Sequence, residues 1–177
     1  MHDVYVALGS NLDHPLKHIL TAQSQLCQIP ATSSISHSTC YRTKPLGGLS
    51  QPDYVNSVSR LKSALGAEEI LWHLHIIEHE HGRRRGENRW QSRALDLDLL
   101  LYGDEIISSN RITIPHYAIA QRNFVIFPML ELNPDVVIPG IGKAADIATG
   151  LNHDNLIPVT AMEMTLAGTS HPHHMTK

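Results

Sequence analysis

The chain has 177 residues and a formal charge of -3, long enough for one domain that buries about two thirds of its unfolded surface without staples. That charge gives no general attraction to nucleic acid or anionic lipid, and no apolar run approaches the roughly 20 residues that a membrane-spanning helix requires. Cys27, Cys40 and an Asp3 inside the first apolar run indicate neither a disulfide framework nor a cleavable signal, so a reducing cytoplasm is the expected compartment.

The elements follow in chain order. Val4 to Leu8 is rich in β-formers and closes on Gly9-Ser10-Asn11, which predicts a strand running into a turn. Pro15 opens a helical repeat through Leu16, Ile19, Leu20 and Leu26 that should end near Pro30. Residues Ser34 to Thr43 and Tyr54 to Leu61 read as strands. Between them, Lys44 to Pro52 is too rich in Pro and Gly for regular structure and suits a binding loop. Ala67 to His81 carries Ile70, Leu71, Leu74 and Ile77 at helical spacing, with Gly82 where a helix commonly stops. Leu95 to Tyr102 reads as a strand, followed by short strands around Glu105-Ile107 and Ile112-Ile114 and by helices over Phe124-Leu132 and Ala144-Leu151. The order predicts an α+β fold: a ferredoxin-like βαββαβ core, a mostly antiparallel sheet, an appended hairpin and additional helices. Residues 1-161 are expected to form a single domain, and 162-177, with His171, His173 and His174, a frayed tail.

The chemistry concentrates around Leu95-Asp96-Leu97-Asp98-Leu99. A strand period of two sends the leucines to one face and both aspartates to the other, about 6.6 Å apart along the chain. Two carboxylates on one face repel unless cations neutralise them, and magnesium commonly uses one or two carboxylates together with substrate phosphates. Just before this strand, Arg83, Arg84, Arg85, Arg89, Trp90 and Arg93 lie in a segment with glycines at 82 and 86 and no apolar period. Guanidinium groups bind phosphate in a planar, bidentate fashion, and a loop of this composition can close over a polyphosphate. Arg111, Thr113, His116, Tyr117, Arg122 and Phe124 form a third group, whose cations could grip the same triphosphate. No P-loop is present: neither Gly9-Ser10-Asn11 nor Gly47-Gly48 is followed by Lys-Ser/Thr, so side chains must hold the nucleotide.

Ala7-Leu8-Gly9-Ser10-Asn11, Tyr41-Arg42-Thr43 with Pro45-Leu46-Gly47, Gln51 to Asn56, Arg93 with Leu95-Asp96-Leu97-Asp98, and Pro115-His116 together resemble the 6-hydroxymethyl-7,8-dihydropterin pyrophosphokinase family over roughly residues 3 to 140. The resemblance implies transfer of pyrophosphate from ATP to the hydroxymethyl pterin, with release of AMP, in folate synthesis. It implies Asp96 and Asp98 as ligands of two magnesium ions, phosphate-binding roles for Arg83 and Arg93, and Arg85 and Trp90 in a closing loop. Glu78, Leu99, Arg111, Thr113, His116, Tyr117 and Arg122 would surround the nucleotide, Leu99 and Thr113 mainly through backbone. The pterin would stack between Tyr54 and Phe124, read by Asn56 and the backbone of Thr43, Pro45 and Leu46. The implied partners are the pterin and ATP, with neither nucleic acid nor membrane, and the chain is expected to act as a monomer. It departs from the family pattern at His75, where Gln is usual, and at Gln91-Ser92, where Gly-Pro is common.

Two rival readings use the same residues. His75-Ile76-Ile77-Glu78-His79 matches the His-x-x-Glu-His pattern of a zinc hydrolase helix, although zinc would need a further ligand and 13 histidines produce such spacings by accident. A non-catalytic RNA-binding module would also use a basic loop on a ferredoxin-like sheet, but Asp96 and Asp98 would repel an RNA backbone.

Overall fold

The computed structural model describes residues 1–45, 51–83 and 93–169. Strand β1 (His2–Ser10) is an inner strand of the main sheet, and helix α1 (Pro15–Leu26) follows with Pro15 in its first turn, where the missing amide hydrogen costs nothing. The segment expected as one strand from Ser34 to Thr43 is two, β2 (Thr32–His37) and β3 (Tyr41–Thr43). The break falls at Ser38: its backbone amide donates to Val58 O, while its hydroxyl accepts from Val58 N, each at 2.9 Å. That side chain satisfies a neighbouring strand's amide where a continuing strand would have done so.

Strand β4 (Tyr54–Ser63) pairs with β1 from Val55 to Ser63, and helix α2 (Ala67–Glu80) follows. Gly66 N donates to Glu69 Oε2 at 2.8 Å, and Glu68 and Glu69 in the first turn suit the positive end of the helix. Strand β5 (Asp96–Tyr102) pairs with the other edge of β1. Then come a small hairpin of β6 (Ile107–Ser108) and β7 (Thr113–Ile114), a short 3-10 turn (Ile119–Gln121) and helix α3 (Asn123–Leu132). A second small hairpin joins β8 (Val137–Ile138) to β9 (Gly142–Lys143) and leads into α4 (Ala144–Ala148), shorter than the helix expected to Leu151. The chain ends in β10 (Ile157–Pro158) and α5 (Ala161–Thr169). The tail expected from 162 therefore begins as a helix, with Met164 and Ala167 turned onto the core; residues 170–177 lie outside the described residues.

The main sheet runs β10-β3-β4-β1-β5, with β2 also on β4, and its pairings are antiparallel. One apolar layer joins Val4, Val6 and Leu8 of β1 to Ile19 and Leu26 of α1, Ile70 and Leu74 of α2, and Leu95, Leu97 and Leu99. The other face carries Tyr5, Val58, Leu100 and Leu101 against Val125, Ile126 and Met129 of α3. Strict alternation would have placed Leu101 with Leu99. A bulge prevents it: Tyr5 faces Leu101 while Val6 faces Leu99, which leaves Leu100 as the extra residue. No helix among the described residues is long and apolar enough to cross a membrane.

Candidate active site

The pairings bring separate sequence segments into one row. Tyr41 opposes Asn56, Asn56 opposes Gly9, and Gly9 opposes Asp96. Directly opposed residues share a face of the sheet, so these side chains stand together, with Gly9 as a bare floor between Asn56 and Asp96. The next row places Val58, Ala7 and Asp98 side by side. Two inter-strand spacings separate Asn56 from Asp96, about 9.6 Å. A Cβ on Gly9 would meet Asn56 Oδ1 at 3.1 Å, so the floor stays open only with glycine.

The two aspartates lie on that face as the period predicted, and both are engaged. Asp96 Oδ1 accepts from Arg83 Nη1 at 2.7 Å and Arg93 Nη1 at 2.8 Å. Asp98 Oδ2 accepts from Arg122 Nη1 at 2.8 Å, with His116 Nε2 at 3.6 Å. The His116 ring is oriented by Ala118 N, which donates to its Nδ1 at 3.2 Å, so the nitrogen facing Asp98 carries the proton. Glu78, 3% exposed, contacts Arg83 and accepts from Leu97 N at 2.8 Å. This buried carboxylate thus ties α2 to the residue between the aspartates and holds Arg83 against Asp96. A carboxylate in the last turn of a helix opposes the helix dipole, and the guanidinium and the strand amide offset that cost.

On the other half of the row, Asn56 Nδ2 donates to Thr43 Oγ1 at 2.8 Å, both residues being buried. Tyr54 sits opposite Thr43 on β4 and donates to Gln51 Oε1 at 3.3 Å. Burial raises its hydroxyl above the ordinary tyrosine value, and it also senses the charges of Arg93 and Asp96. Phe124 stands in the first turn of α3, its ring centroid 5.9 Å from the Arg122 guanidinium carbon. Pro45 lies beyond the end of β3, and Lys44 pairs with Asp53 at 3.0 Å.

Of the other expected residues, Arg111 pairs with Glu68 of α2 at 3.1 Å and is largely exposed, as is Thr113 on β7. Tyr117 is exposed and rests against the His116 ring, 4.5 Å between centroids. Leu99 is buried in the core with its backbone opposite Val6. Leu46, Arg85 and Trp90 lie outside the described residues. Sequence reading assigned no separate role to Asn11, which is 2% exposed. Its Oδ1 accepts from Arg93 N at 2.8 Å, its Nδ2 donates to Pro52 O at 3.4 Å, and its backbone N donates to Arg93 O at 3.1 Å. A polar residue just after a strand end, in a turn beside Gly9, was the available signal.

Paired carboxylates flanked by three guanidinium groups can exchange those partners for a cation and a polyphosphate. Magnesium fits the donor set, since two carboxylates on one strand face leave its other positions to phosphate and water. The zinc triplet does not assemble: Glu78 is committed to Arg83 and Leu97, and no group of three or more His, Cys, Asp or Glu among the described residues could hold a metal ion.

A face of this kind belongs to proteins that handle phosphate groups next to a small acceptor, and comparison with known proteins identifies which. The family model described as 7,8-dihydro-6-hydroxymethylpterin-pyrophosphokinase (HPPK) matches residues 5–134, and the chain belongs to this family. A Haemophilus influenzae 2-amino-4-hydroxy-6-hydroxymethyldihydropteridine pyrophosphokinase is 45% identical over 139 residues, covering 78% of this chain and 86% of the relative. The Pseudomonas aeruginosa protein of the same name is 41% identical, covering 77% and 83%. Among solved structures, a Plasmodium falciparum HPPK-DHPS crystal structure has a TM-score of 0.62 at 12% identity over 85% of this chain; the chain spans 43% of that longer protein. At that identity the likeness speaks for the fold alone.

Proposed function

We propose that this chain transfers the pyrophosphoryl group of ATP to the hydroxymethyl oxygen of 6-hydroxymethyl-7,8-dihydropterin and releases AMP, a step of folate synthesis. Family membership supports the reaction, and the row Asn56-Gly9-Asp96 is the observation that supports the assignment of residues. The scaffold is read as ferredoxin-like, supported by the antiparallel order β3-β4-β1-β5.

Thr43, Asn56 and the Pro45 and Leu46 backbone read the edge of the pterin, while Tyr54 and Phe124 cover its faces. Gly9 leaves the space in which the hydroxymethyl arm extends toward Asp96. Asp96 and Asp98 would hold magnesium, which when bound neutralises the phosphates and lowers the barrier to attack. Arg83, Arg93 and Arg122, now on the aspartates, turn to the phosphate oxygens, where planar guanidinium groups match charge and shape. His116, with its proton on Nε2, donates to the same oxygens. Arg111, Thr113, Tyr117 and the Leu99 backbone border the nucleoside, and Arg85 and Trp90 close over it. Glu78 positions Arg83 and β5. Such transfer demands alignment and charge neutralisation, with little covalent participation by protein. We read the enzyme as acting as a monomer in the cytoplasm.

Incubation with magnesium-ATP and the pterin, followed by separation of nucleotides, tests the reading. The expected product is AMP, formed only when the pterin is present. ADP as the product, or AMP formed equally without the pterin, overturns it.

A further inference from the structure

The C-terminal stretch beyond the region matched by the family model supplies a second support for the strand that carries Thr43. Strand β3 is only three residues long and leads directly into the loop after Thr43. Its inner edge pairs with β4; its outer edge is covered by β10, with Ile157 opposite Arg42 and Pro158 opposite Tyr41. Val159 N extends the pairing by donating to Cys40 O at 2.9 Å. An isolated three-residue edge would hold its position weakly, and a covering segment fixes it.

Glu163 joins this cover to the strand. Its Oε2 accepts from Thr160 N at 2.9 Å and Thr160 Oγ1 at 2.8 Å, capping α5, while its Oε1 engages Arg42 Nη2. The Thr160 backbone bond first, and then the Arg42 guanidinium, hold its carboxyl at about 2, well below the usual range. Alternation along β3 puts Arg42 on the face opposite Tyr41 and Thr43, so Glu163 grips the strand from behind while Thr43 faces Asn56 in front. Behind it, Met164 and Ala167 seat α5 on the core.

We infer that residues 156–169 act as a clasp on β3, and that Glu163, through Arg42, is a positioning residue for the pterin. The inference rests on the proposed function for the identity of the ligand that Thr43 meets. Glu163 touches neither Thr43 nor Asn56. Its influence passes through the backbone of Arg42, which sets where the adjacent Thr43 hydroxyl and the start of the loop lie. An ion pair with both side chains more than a third exposed (38% and 37%) adds little to global stability, so its removal acts locally.

The test compares full-length wild type, Glu163→Ala and Glu163→Asp by steady-state turnover against each substrate, with amide exchange over Tyr41 to Thr43. In Glu163→Ala the KM for the pterin rises about fivefold, the size of effect that an exposed ion pair supplies, while kcat, the KM for ATP and the Tm stay near wild type. Exchange in β3 quickens, and Glu163→Asp recovers most of the pterin KM. A pterin KM unchanged in Glu163→Ala, or an equal rise in both KM values, overturns the clasp. Failure of wild type to release AMP instead overturns the proposed reaction, and that result is read before any variant is compared.

Discussion

Asp96 and Asp98 each hold arginine, so removing either changes two things at once: a carboxylate is lost, and the guanidinium groups beside it lose one ion-pair contact. Asp96→Ala and Asp98→Ala should lower turnover at least ~100-fold, the scale of losing a principal electrostatic contributor, while leaving the leucine face intact. Pterin-dependent AMP release and the Tm check this; near-normal rates would remove the metal assignment. Gly9→Ala makes a narrower claim. Its methyl meets Asn56 Oδ1, so the pterin KM should rise about tenfold, on the order of 1.4 kcal/mol, with the ATP KM unchanged. Period two alone made the aspartate pair legible in the sequence. The Gly9 floor was not legible, because it depends on β1 lying between β4 and β5, a register fixed by residues roughly fifty and ninety positions away. Asn11 was obscure for the same reason: its partners, Pro52 and Arg93, belong to other loops.

At the scale of elements, α1 and α2 are joined by a chain of polar contacts. His18 Nδ1 lies 2.6 Å from His81 Nδ1, His81 Nε2 donates to Gln25 Oε1 at 2.8 Å, and Gln25 Nε2 donates to Glu80 Oε2 at 2.7 Å. His81 therefore presents a lone pair at Nδ1, and neutral His18 supplies the proton between the rings. Burial is the first cause that pulls both rings below the ordinary value of 6.5; Asp13 pushes His18 back up, while His14 and Lys17 add to the depression. With folded values depressed, the unfolded chain binds the extra protons. Stability from the neutral pair is thus complete above about pH 6.5 and lost as pH falls below it. Lowering pH from 7 to 5 should therefore reduce Tm, by an amount kept small by the partial exposure of these rings. A His18→Gln/His81→Gln protein should lose that part of the slope, and an unaltered Tm-pH curve would remove the pair as its source. The two long helices were legible because each buries a continuous apolar stripe. Helix α5 was not, since Met162 and Leu166 remain exposed while only Met164 and Ala167 turn inward.

Over the whole molecule, the sheet separates two apolar layers, and only the leucine face of β5 announced its layer in the sequence. The second layer depends on the bulge at Leu100, which strict alternation does not foresee. Ile126→Ala, in the fully buried part of that layer, should cost about 2–5 kcal/mol, measurable by urea unfolding. The cysteines offer an independent probe of integrity. Cys27 is exposed, while Cys40 is buried with its thiol pushed up to about 11, chiefly by desolvation. One thiol per chain should react with an alkylating reagent at pH 8, and a second only on unfolding; rapid labelling of both would show that the β3 region opens in the native state. The bare residue between Asn56 and Asp96 has a consequence for which alcohols can be substrates. If, as proposed, the heterocycle is held beside Asn56 on β4 while Asp96 stands two strands away on β5, the sheet would work as a gauge of arm length. Lengthening the side arm by one methylene should displace the nucleophile by more than an ångström and slow transfer far more than it weakens docking of the ring.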